Sequence, residues 1–473
     1  MNIERLVHPG FWFDKTPMQD AIKLAQMGVG GFCLYGGTKE QAAAFTQAVQ
    51  AVSPLSKILI SADYEDGLGR WLADAELLPS NMALGAANDE KLAFEKGFIT
   101  ARQAKSLGVD WVFAPVLDLA DNPQNPIVNT RSFGKNPATV IRLASALMDG
   151  LKQGGALNSL KHFPGHGDTA TDSHLALPVV QKNTTELEQN ELTPFRALLQ
   201  KADSVMIGHL LVPALDPQKP ASLSKNIISG LLRRQLGYRG CVVTDALLMK
   251  AIGDEKQAAL DALAAGADIL LVPEKPFELI EFLQAQKLPQ EWLKRSQNAQ
   301  NELCRRADLI PAVTPQEAFL ETDFSAKTAK KALAQTGEIF MLSSGDTVSV
   351  LEAGNDDKLS ARPFLEELKK YGVHTEKYTG GKVQKLIILC FRQYQAFKGK
   401  IDLENIEAQH LRQAASHAEQ TVFVSFASPW AAQTVPSVKG ALFAFSPATA
   451  FQQAAADAFC GKLTPLGKIP VQL

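Results

Sequence analysis

Residues 161 to 174, KHFPGHGDTATDSH, hold an unusual density of groups that can bind or release protons. The stretch contains three of the eight histidines of the chain, together with Lys161, Asp168 and Asp172. Side chains of these types support two chemistries, a metal site or an acid/base device on a loop. The spacing of the residues decides which of the two is favoured.

The metal interpretation rests on His162 and His166, which are followed by acidic residues and a further histidine. On a helix, two histidines four residues apart would share one face and could bind one ion. Pro164 and Gly165 stand between them, and a proline there argues against a helix. The chain also offers no second cluster of ligands, so we predict no metal and no cofactor.

The acid/base interpretation rests on Asp172 and His174. In an extended segment, side chains two residues apart lie on the same side, so the carboxylate can reach the imidazole and raise its basicity. Asp245 ends the apolar run CVVTD, where a carboxylate could act as a nucleophile. Taken alone, Asp245 could equally be the N-cap of the next helix.

Further polar residues suit the recognition of a hydroxyl-rich ligand. Lys161 and His162 can donate to hydroxyl groups, Asp63 can accept from them, and Arg131 in NTRSFG can reach an acceptor. A sugar requires side chains of these types. Each could also form an ordinary surface salt bridge.

Short apolar runs alternate with helical patterns through the first 275 residues, which predicts a parallel sheet covered by helices. There are eight such runs, the number that closes a (β/α)8 barrel of the TIM type. They span 10–13, 31–35, 57–63, 111–118, 157–163, 204–209, 241–245 and 268–273. Polar residues gather at their carboxyl ends, where barrel active sites form: Asp63, Asp118, Lys161, His162, His209 and Asp245.

The alternation breaks near residue 315, which predicts a catalytic barrel over 1–315 and a smaller α/β sandwich domain over 316–473. Four strands are expected in the second domain, over 338–345, 385–391, 421–429 and 441–447. No G-x-G-x-x-G follows them, so a dinucleotide has no support there.

Composition excludes several partners. The 48 basic and 50 acidic residues leave a net charge of −2 without a basic stripe, which argues against nucleic acid. No apolar run is long enough to span a bilayer, and the first residues, MNIERLVHPGFWFD, lack the pattern of a secretory signal. Five scattered cysteines suit the reducing cytoplasm, which is the expected location. The oligomeric state is not predicted.

Several motifs resemble one family in order along the chain. KHFPGHGDTATDSH is similar to the signature loop of the glycoside hydrolase family 3 β-N-acetylglucosaminidases, the NagZ-like branch. FAPVLDLADNP, NTRSFGKNP, HLLVPALDPQKPASLS, LLRRQLGYRGCVVTDALLMKAI and AGADILLVP also resemble that branch. The resemblance covers roughly residues 55 to 275. The closing PLGKIPVQL resembles the end of the α/β sandwich that follows the barrel in many members.

The resemblance implies a retaining glycoside hydrolase that acts in two steps. Asp245 would be the nucleophile, and His174, held by Asp172, would be the acid/base on a loop that Gly165 and Gly167 allow to move. The terminal N-acetylglucosamine would be bound by Asp63, Arg131, Lys161 and His162, with Met249 close to the nucleophile. His209 joins this set from its position after a strand.

One segment departs from the family pattern. The typical DQEGGR segment reads DYEDGLGRW here, so Asp63 carries over, whereas Arg70 falls one position away from the arginine usually found beyond that segment. Arg70 is therefore included among the sugar-binding residues on the assumption that the alignment with the family shifts by one position after Asp63.

The predicted function is release of terminal β-linked N-acetylglucosamine from saccharides derived from the cell wall or chitin, as in peptidoglycan recycling. Phosphorolysis at the same site is the main competing function, because an imidazole repels phosphate less than a carboxylate does. A β-glucosidase, a barrel that binds sugar without turnover, and a metal-dependent amidohydrolase are further candidate functions.

Overall fold

The structure is a computed structural model that describes residues 2–171, 176–354, 359–392 and 403–473. Contacts between residues divide the chain into two compact units. The first unit comprises Met1–Leu78, Ala93–Leu119 and Val140–Glu321, and the second comprises Pro79–Leu92, Ala120–Thr139 and Thr322–Leu473. Two early segments thus group with the C-terminal part of the chain. The domain division at residue 315 stays a prediction.

Among the residues that the structure describes, the first unit contains nine short strands. They are β1 (Val7–His8), β2 (Gly10–Trp12), β3 (Gly31–Tyr35), β4 (Leu59–Ala62), β5 (Trp111–Val112), β6 (Ser159–Phe163), β7 (Ser204–Ile207), β8 (Cys241–Thr244) and β9 (Leu270–Leu271). Strands β2 to β9 each lie inside one of the eight apolar runs. The runs therefore located the strands, although every strand except β3 is shorter than its run.

Helices lie between most of these strands. In chain order they are α1 (Met18–Met27), α2 (Lys39–Val52), α3 (Asn81–Ala87), α4 (Glu90–Ser106), α5 (Pro137–Gly154), α6 (Thr184–Gln189), α7 (Leu192–Leu198), α8 (Glu255–Ala265), α9 (Pro276–Gln284), α10 (Gln290–Ala307) and α11 (Pro315–Ala318). A π-helical segment spans Asn226–Gln235. Local sequence sets the ends: Thr38 and Gln41 form a capping box that starts α2, and Gly28 ends α1 with φ 92°.

The strands of the first unit pair in parallel. Strands β2, β3, β4 and β5 form one sheet in that order, β6, β7 and β8 form another, and β1 pairs with β9. Single parallel bridges join Trp111 to Leu157 and Val243 to Ile269. The predicted α/β fold with parallel strands is confirmed.

Both faces of the strands are buried, as expected for a parallel sheet covered by helices. Cys33 and Tyr35 of β3 project into a core cluster with Trp111 and Met206 from other strands. Phe32, which precedes Cys33, projects to the opposite face, where its ring lies 5.4 Å from that of Phe45 in α2. Burial of one such aromatic side chain contributes roughly 1.5–3 kcal/mol.

The second unit contains a six-stranded sheet. Its strands are β10 (Ala334–Thr336), β11 (Thr347–Ala353), β12 (His374–Lys377), β13 (Val383–Cys390), β14 (Ala418–Ser425) and β15 (Gly440–Phe443), in the order β10-β15-β14-β13-β11-β12. Only β10 among these runs antiparallel to its neighbour. Its helices are α3, whose bounds are given above, together with α12 (Phe324–Ala332), α13 (Arg362–Lys370), α14 (Asn405–Ser416) and α15 (Thr449–Phe459).

One strand predicted for the C-terminal part is wrong. Residues 338–345 form no strand, and the strand lies instead at β11, directly after them. Within 338–345 only Leu342 is buried and Met341 is half exposed, so the apolar run does not lie in the sheet. In β11, Val348 and Val350 are buried on alternate positions, which is the pattern of a sheet residue.

The hydrophobic core of the second unit draws on all three of its chain segments. Met82, Ala83 and Ala86 of α3, together with Ala120, belong to the same buried cluster as the strands of the six-stranded sheet.

Within the described residues, no helix combines the length and the apolar composition that crossing a bilayer requires.

His8 in β1 gives the first unit a predicted sensitivity to acid. Its ring is fully buried, with Nε2 lying 3.3 Å from Oε1 of Gln300, and burial lowers its pKa to about 3. The unfolded chain binds a proton at this group near pH 6.5, whereas the folded protein does so only near pH 3. Stability therefore falls as the pH drops through this window, by about 1.4 kcal/mol per pH unit from this group.

We expect the free energy of unfolding of the unaltered protein to fall between pH 7 and pH 5 by about 2 kcal/mol more than that of His8→Gln. Urea unfolding followed by tryptophan fluorescence measures both. His374→Gln, which removes an exposed histidine, is the matched control. Equal pH dependence in all three proteins would contradict the assignment.

Candidate active site

Lys161 and Asp63 meet although they are far apart in sequence. Asp63 follows directly after β4, and Lys161 lies within β6. The Lys161 ammonium Nζ is 2.6 Å from Oδ1 of Asp63 and 2.5 Å from Oε1 of Glu65. Lys161 and Glu65 are almost wholly buried, whereas 28% of the Asp63 side chain is exposed. Two carboxylates thus compensate the charge of one buried ammonium. One of the two, Asp63, stays accessible to a ligand.

His162, the next residue, is fixed by Asp118. Its Nδ1 lies 2.6 Å from Oδ2 of Asp118, and its backbone N–H also donates to that carboxylate. Burial works against ionisation of Asp118, but its interactions with His162 and His166 together outweigh burial and lower its pKa. Because a carboxylate accepts at Nδ1, that nitrogen carries the proton.

The same carboxylate anchors the beginning of the loop that follows β6. The backbone N–H of His166 donates to Oδ1 of Asp118 at 2.7 Å. The His166 ring lies 2.8 Å from the Thr169 hydroxyl, and burial lowers the pKa of His166 to about 4. Gly167 packs so tightly that an added Cβ would stand 1.9 Å from the Leu119 carbonyl oxygen, so this position accepts only glycine.

Beyond the loop, the chain is held again by backbone hydrogen bonds. Val180 donates to the carbonyl of Leu211, and Leu211 donates to that of Pro178. The predicted acid/base residues, Asp172 and His174, lie outside the described residues, between these two anchored stretches.

Asp245 lies directly after β8, at its carboxyl end. Its side chain is mostly buried, and its Oδ1 accepts a 2.8 Å hydrogen bond from the backbone N–H of Ala246. The backbone N–H of Asp245 donates to Ile207 of the neighbouring strand β7. These bonds fix the carboxylate on the sheet rather than at the cap of a helix, because the next residues form no regular helix.

His209 is fully buried and contacts Ala246, the residue that follows Asp245. Its Nε2 lies 3.1 Å from the carbonyl oxygen of Ala246, and its Nδ1 lies 2.7 Å from the Ser222 hydroxyl. Since a carbonyl only accepts, Nε2 carries the proton and Nδ1 accepts from Ser222. The contact of His209 with Ala246 fixes the backbone of the residue that follows Asp245.

Met249 packs in the core cluster with Ala246 and Tyr35. Tyr35 stacks on Trp12, with ring centroids 4.7 Å apart, and Trp71 meets it edge-on at 5.0 Å. Burial raises the pKa of Tyr35, and Cys33, Asp63 and Asp245 raise it further. Arg70 directly precedes Trp71 at the end of a short 3-10 helix.

Arg131 belongs to the second unit. It ends the 3-10 helix Asn129–Arg131, where its carbonyl accepts from the Asn81 side chain at 2.7 Å and its Nη1 donates to the carbonyl of Ile127. These contacts all lie within the second unit.

Sequence reasoning assigned no role to four charged residues near this site. Asp118 appeared only as a polar residue after a strand, although it holds His162. Glu65 and Asp66 stand in DYED beside Asp63, and Lys96 of α4 forms an ion pair with Asp66. The spacing of Glu65, two residues after Asp63, is the signal that could have found it, because such side chains share one side of an extended segment.

Among the described residues, no group of three or more histidine, cysteine or acidic side chains is arranged to hold a metal ion. The candidate ligands His162, His166 and Asp168 are therefore not assembled into such a group. The contacts of His162 and His166 go to Asp118 and Thr169 instead.

A comparison with known protein families finds a match for the part of the chain that contains these residues. The model of the glycosyl hydrolase family 3 N terminal domain matches residues 2–300. The chain belongs to glycosyl hydrolase family 3. It is a glycoside hydrolase, and the resemblance seen in its motifs is confirmed.

Three similar proteins illustrate the range of relatives. The chain is 33% identical over 314 residues to a beta-hexosaminidase A of Pseudoalteromonas piscicida, covering 58% of this chain and 52% of that protein. It is 33% identical over 331 residues to a beta-hexosaminidase of Neisseria meningitidis serogroup C, covering 66% of this chain and 88% of the relative. A family 3 beta-N-acetylglucosaminidase structure from Paenibacillus sp. FPU-7 superposes with a TM-score of 0.87 at 28% identity, covering 100% of this chain and 98% of that one.

The three bonds that Asp118 accepts predict the effect of Asp118→Asn. An amide has one acceptor oxygen, so it cannot serve both the His162 ring and the two backbone donors, and a buried donor is left unpaired. We expect a loss of about 1–3 kcal/mol in unfolding free energy. Urea unfolding measures it, with the exposed Asp14→Asn as control. Unchanged stability would show that Asp118 is not the anchor of this region.

Proposed function

We propose that this glycoside hydrolase releases terminal β-linked N-acetylglucosamine through a covalent glycosyl-enzyme intermediate. The observation that carries the proposal is the placement of Asp245, a mostly buried carboxylate oriented by the Ala246 N–H at the carboxyl end of β8. A nucleophile needs a fixed direction of approach, and one anchored oxygen supplies it. The family and the beta-hexosaminidase names of similar proteins support the sugar class.

In the first step, an oxygen of Asp245 would attack the anomeric carbon while the bond to the leaving group breaks. His174, oriented by Asp172, would give its proton to the departing oxygen. In the second step, His174 would take a proton from water as that water attacks the anomeric carbon and releases Asp245. The roles of His174 and Asp172 rest on the sequence motif.

The terminal sugar would be held by the polar residues of the site. Asp63, the accessible member of its ion pair, would accept hydrogen bonds from hydroxyl groups, with Lys161 and His162 as donors beside it. Arg70 completes the proposed set in the first unit, and Met249 would pack near the nucleophile. A role for Arg131 rests on the family resemblance alone. His209 would fix the backbone of Ala246, whose N–H donates to the Asp245 carboxylate.

We also propose that the strands of the first unit close into a (β/α)8 barrel. The parallel bridges between Trp111 and Leu157 and between Val243 and Ile269, with the pairing of β1 and β9, support closure. Barrel enzymes carry their active sites at the carboxyl ends of the strands, where Asp63 and Asp245 lie. Saccharides derived from the cell wall or chitin are the proposed substrates, and the free cysteines suit a role in cytoplasmic peptidoglycan recycling.

An aryl β-N-acetylglucosaminide and the matching β-glucoside test this proposal. We expect the protein to release the aryl group from the N-acetyl substrate, and Asp245→Asn to reduce kcat by about three orders of magnitude or more. Asp14→Asn, an exposed substitution of the same type, should retain activity.

Product analysis with and without inorganic phosphate completes the test. Free N-acetylglucosamine under both conditions supports hydrolysis, whereas a sugar phosphate would show phosphorolysis. Preference for the glucoside would contradict the proposed sugar class, and activity that survives in Asp245→Asn would contradict the nucleophile.

A further inference from the structure

Three aromatic side chains lie in contact at the carboxyl ends of neighbouring strands in the first unit. Trp12 is the last residue of β2 and Tyr35 the last residue of β3. Their rings stack, with centroids 4.7 Å apart and an angle of 10° between the planes. Trp71, from the segment that follows Asp63, meets Tyr35 edge-on at 5.0 Å. We call Trp12, Tyr35 and Trp71 the aromatic row.

The strand register places the aromatic row beside Asp63. In the parallel pairing of β2 with β3, Trp12 lies opposite Tyr35. In the pairing of β3 with β4, Leu34 lies opposite Ala62, and Tyr35 and Asp63 are the residues that follow these two. Side chains at the same level of adjacent parallel strands project to the same face of the sheet. Trp12, Tyr35 and Asp63 therefore form one line across the ends of three strands.

The aromatic row is also continuous with the surroundings of the proposed nucleophile. Trp12 and Trp71 are partly buried and pack against the cluster of buried side chains that contains Tyr35 and Ala246. Ala246 follows Asp245 and donates its backbone N–H to that carboxylate. One cluster of packed side chains therefore extends from the aromatic row to the residue beside the nucleophile.

The Trp12 indole is held in one orientation. Its ring lies over Gly10, where an added Cβ would stand 2.5 Å from two indole carbons, so a larger residue there would displace the ring. Tyr35 covers one face of the indole, and part of the Trp12 side chain stays exposed. A tryptophan fixed in this way offers a ligand a large apolar surface with little loss of side-chain freedom on binding.

The chemistry and the position of the row indicate its ligand. A pyranose ring carries hydroxyl groups at its edge and C–H groups on its faces, so a sugar site combines polar side chains with aromatic ones. The end of β2, which carries Trp12, lies two strand spacings from the end of β4, or about 10 Å. This distance exceeds the width of one monosaccharide. A terminal sugar held by Asp63 therefore leaves Trp12 for the ring that is attached to it.

We propose that the aromatic row, with Trp12 at its far end, binds the leaving-group sugar, which is the saccharide unit linked to the terminal N-acetylglucosamine. The ligand class is a neutral pyranose ring that packs on the exposed indole surface. This inference rests on the proposed function, which places the terminal sugar at Asp63 and Asp245. It adds a determinant of the leaving groups that the enzyme accepts.

Trp12→Leu tests the inference, because leucine keeps an apolar side chain but removes the indole surface. The probes are the disaccharide of two β-linked N-acetylglucosamine units and methyl β-N-acetylglucosaminide, whose leaving group is too small to reach the row. We expect KM for the disaccharide to rise about tenfold and KM for the methyl glycoside to change by about twofold or less. Trp12→Phe, which keeps an aromatic ring, should recover most of the affinity for the disaccharide.

Trp292→Leu is the matched control. Trp292 is partly buried in α10 and is not part of the aromatic row. This variant should alter KM for neither substrate. If Trp12→Leu does not fold, Trp12→Met replaces it, because methionine fills more of the space of the indole. An equal change in KM for both substrates, or a change for neither, would overturn the role of the row.

Calorimetric titration of Asp245→Asn separates this inference from the proposed function, because it measures binding without turnover. We expect the disaccharide to bind this variant more tightly than N-acetylglucosamine does, and the added Trp12→Leu substitution to remove the difference. The same titrations are made with cellobiose and glucose. If only that series shows a disaccharide preference that depends on Trp12, the leaving-group site is upheld and the proposed sugar class is refuted. Equal affinity for disaccharide and monosaccharide in both series would overturn the leaving-group site.

Discussion

A lysine ammonium that has almost no contact with water is the constraint on which the site depends. Lys161 is 1% exposed, and removing such a charge from water costs several kcal/mol unless opposite charges surround it. Asp63 and Glu65 supply these charges from the segment after β4, and Lys161 supplies its own from β6. The end of one strand is thereby tied to the middle of another, and the accessible carboxylate acquires a fixed position.

Asp118 applies the same principle to the loop that follows β6. Its carboxylate holds the ring and backbone of His162 and the backbone of His166, so the first part of the loop is fastened by one charged group. Charge-assisted hydrogen bonds are shorter and stronger than neutral ones, which suits a residue that must orient several partners. The site is thus built from buried charges that fix backbone as well as side chains.

The sequence predicted those parts of the fold that depend on local patterns. The run GFCLY coincides with β3, because a strand buried on both faces is apolar at every position. The pairing of Lys161 with Asp63 was not predictable in detail, since it depends on which strands become neighbours. The run at 338–345 misled because its apolar residues, apart from Leu342, are not fully buried. Asp245 was located correctly after a strand, while its bond to Ala246 required the structure.

The composition of the second unit has a consequence for the order in which the protein can mature. Its core unites α3 with the strands of the six-stranded sheet, which follow α3 in the chain and leave the ribosome after it. During synthesis, Met82 and Ala86 lack the apolar neighbours that bury them in the folded unit until β10 to β15 have emerged. Folding of this unit therefore cannot finish until those strands have emerged, and a nascent chain halted before residue 322 would present an apolar surface of the kind that chaperones bind.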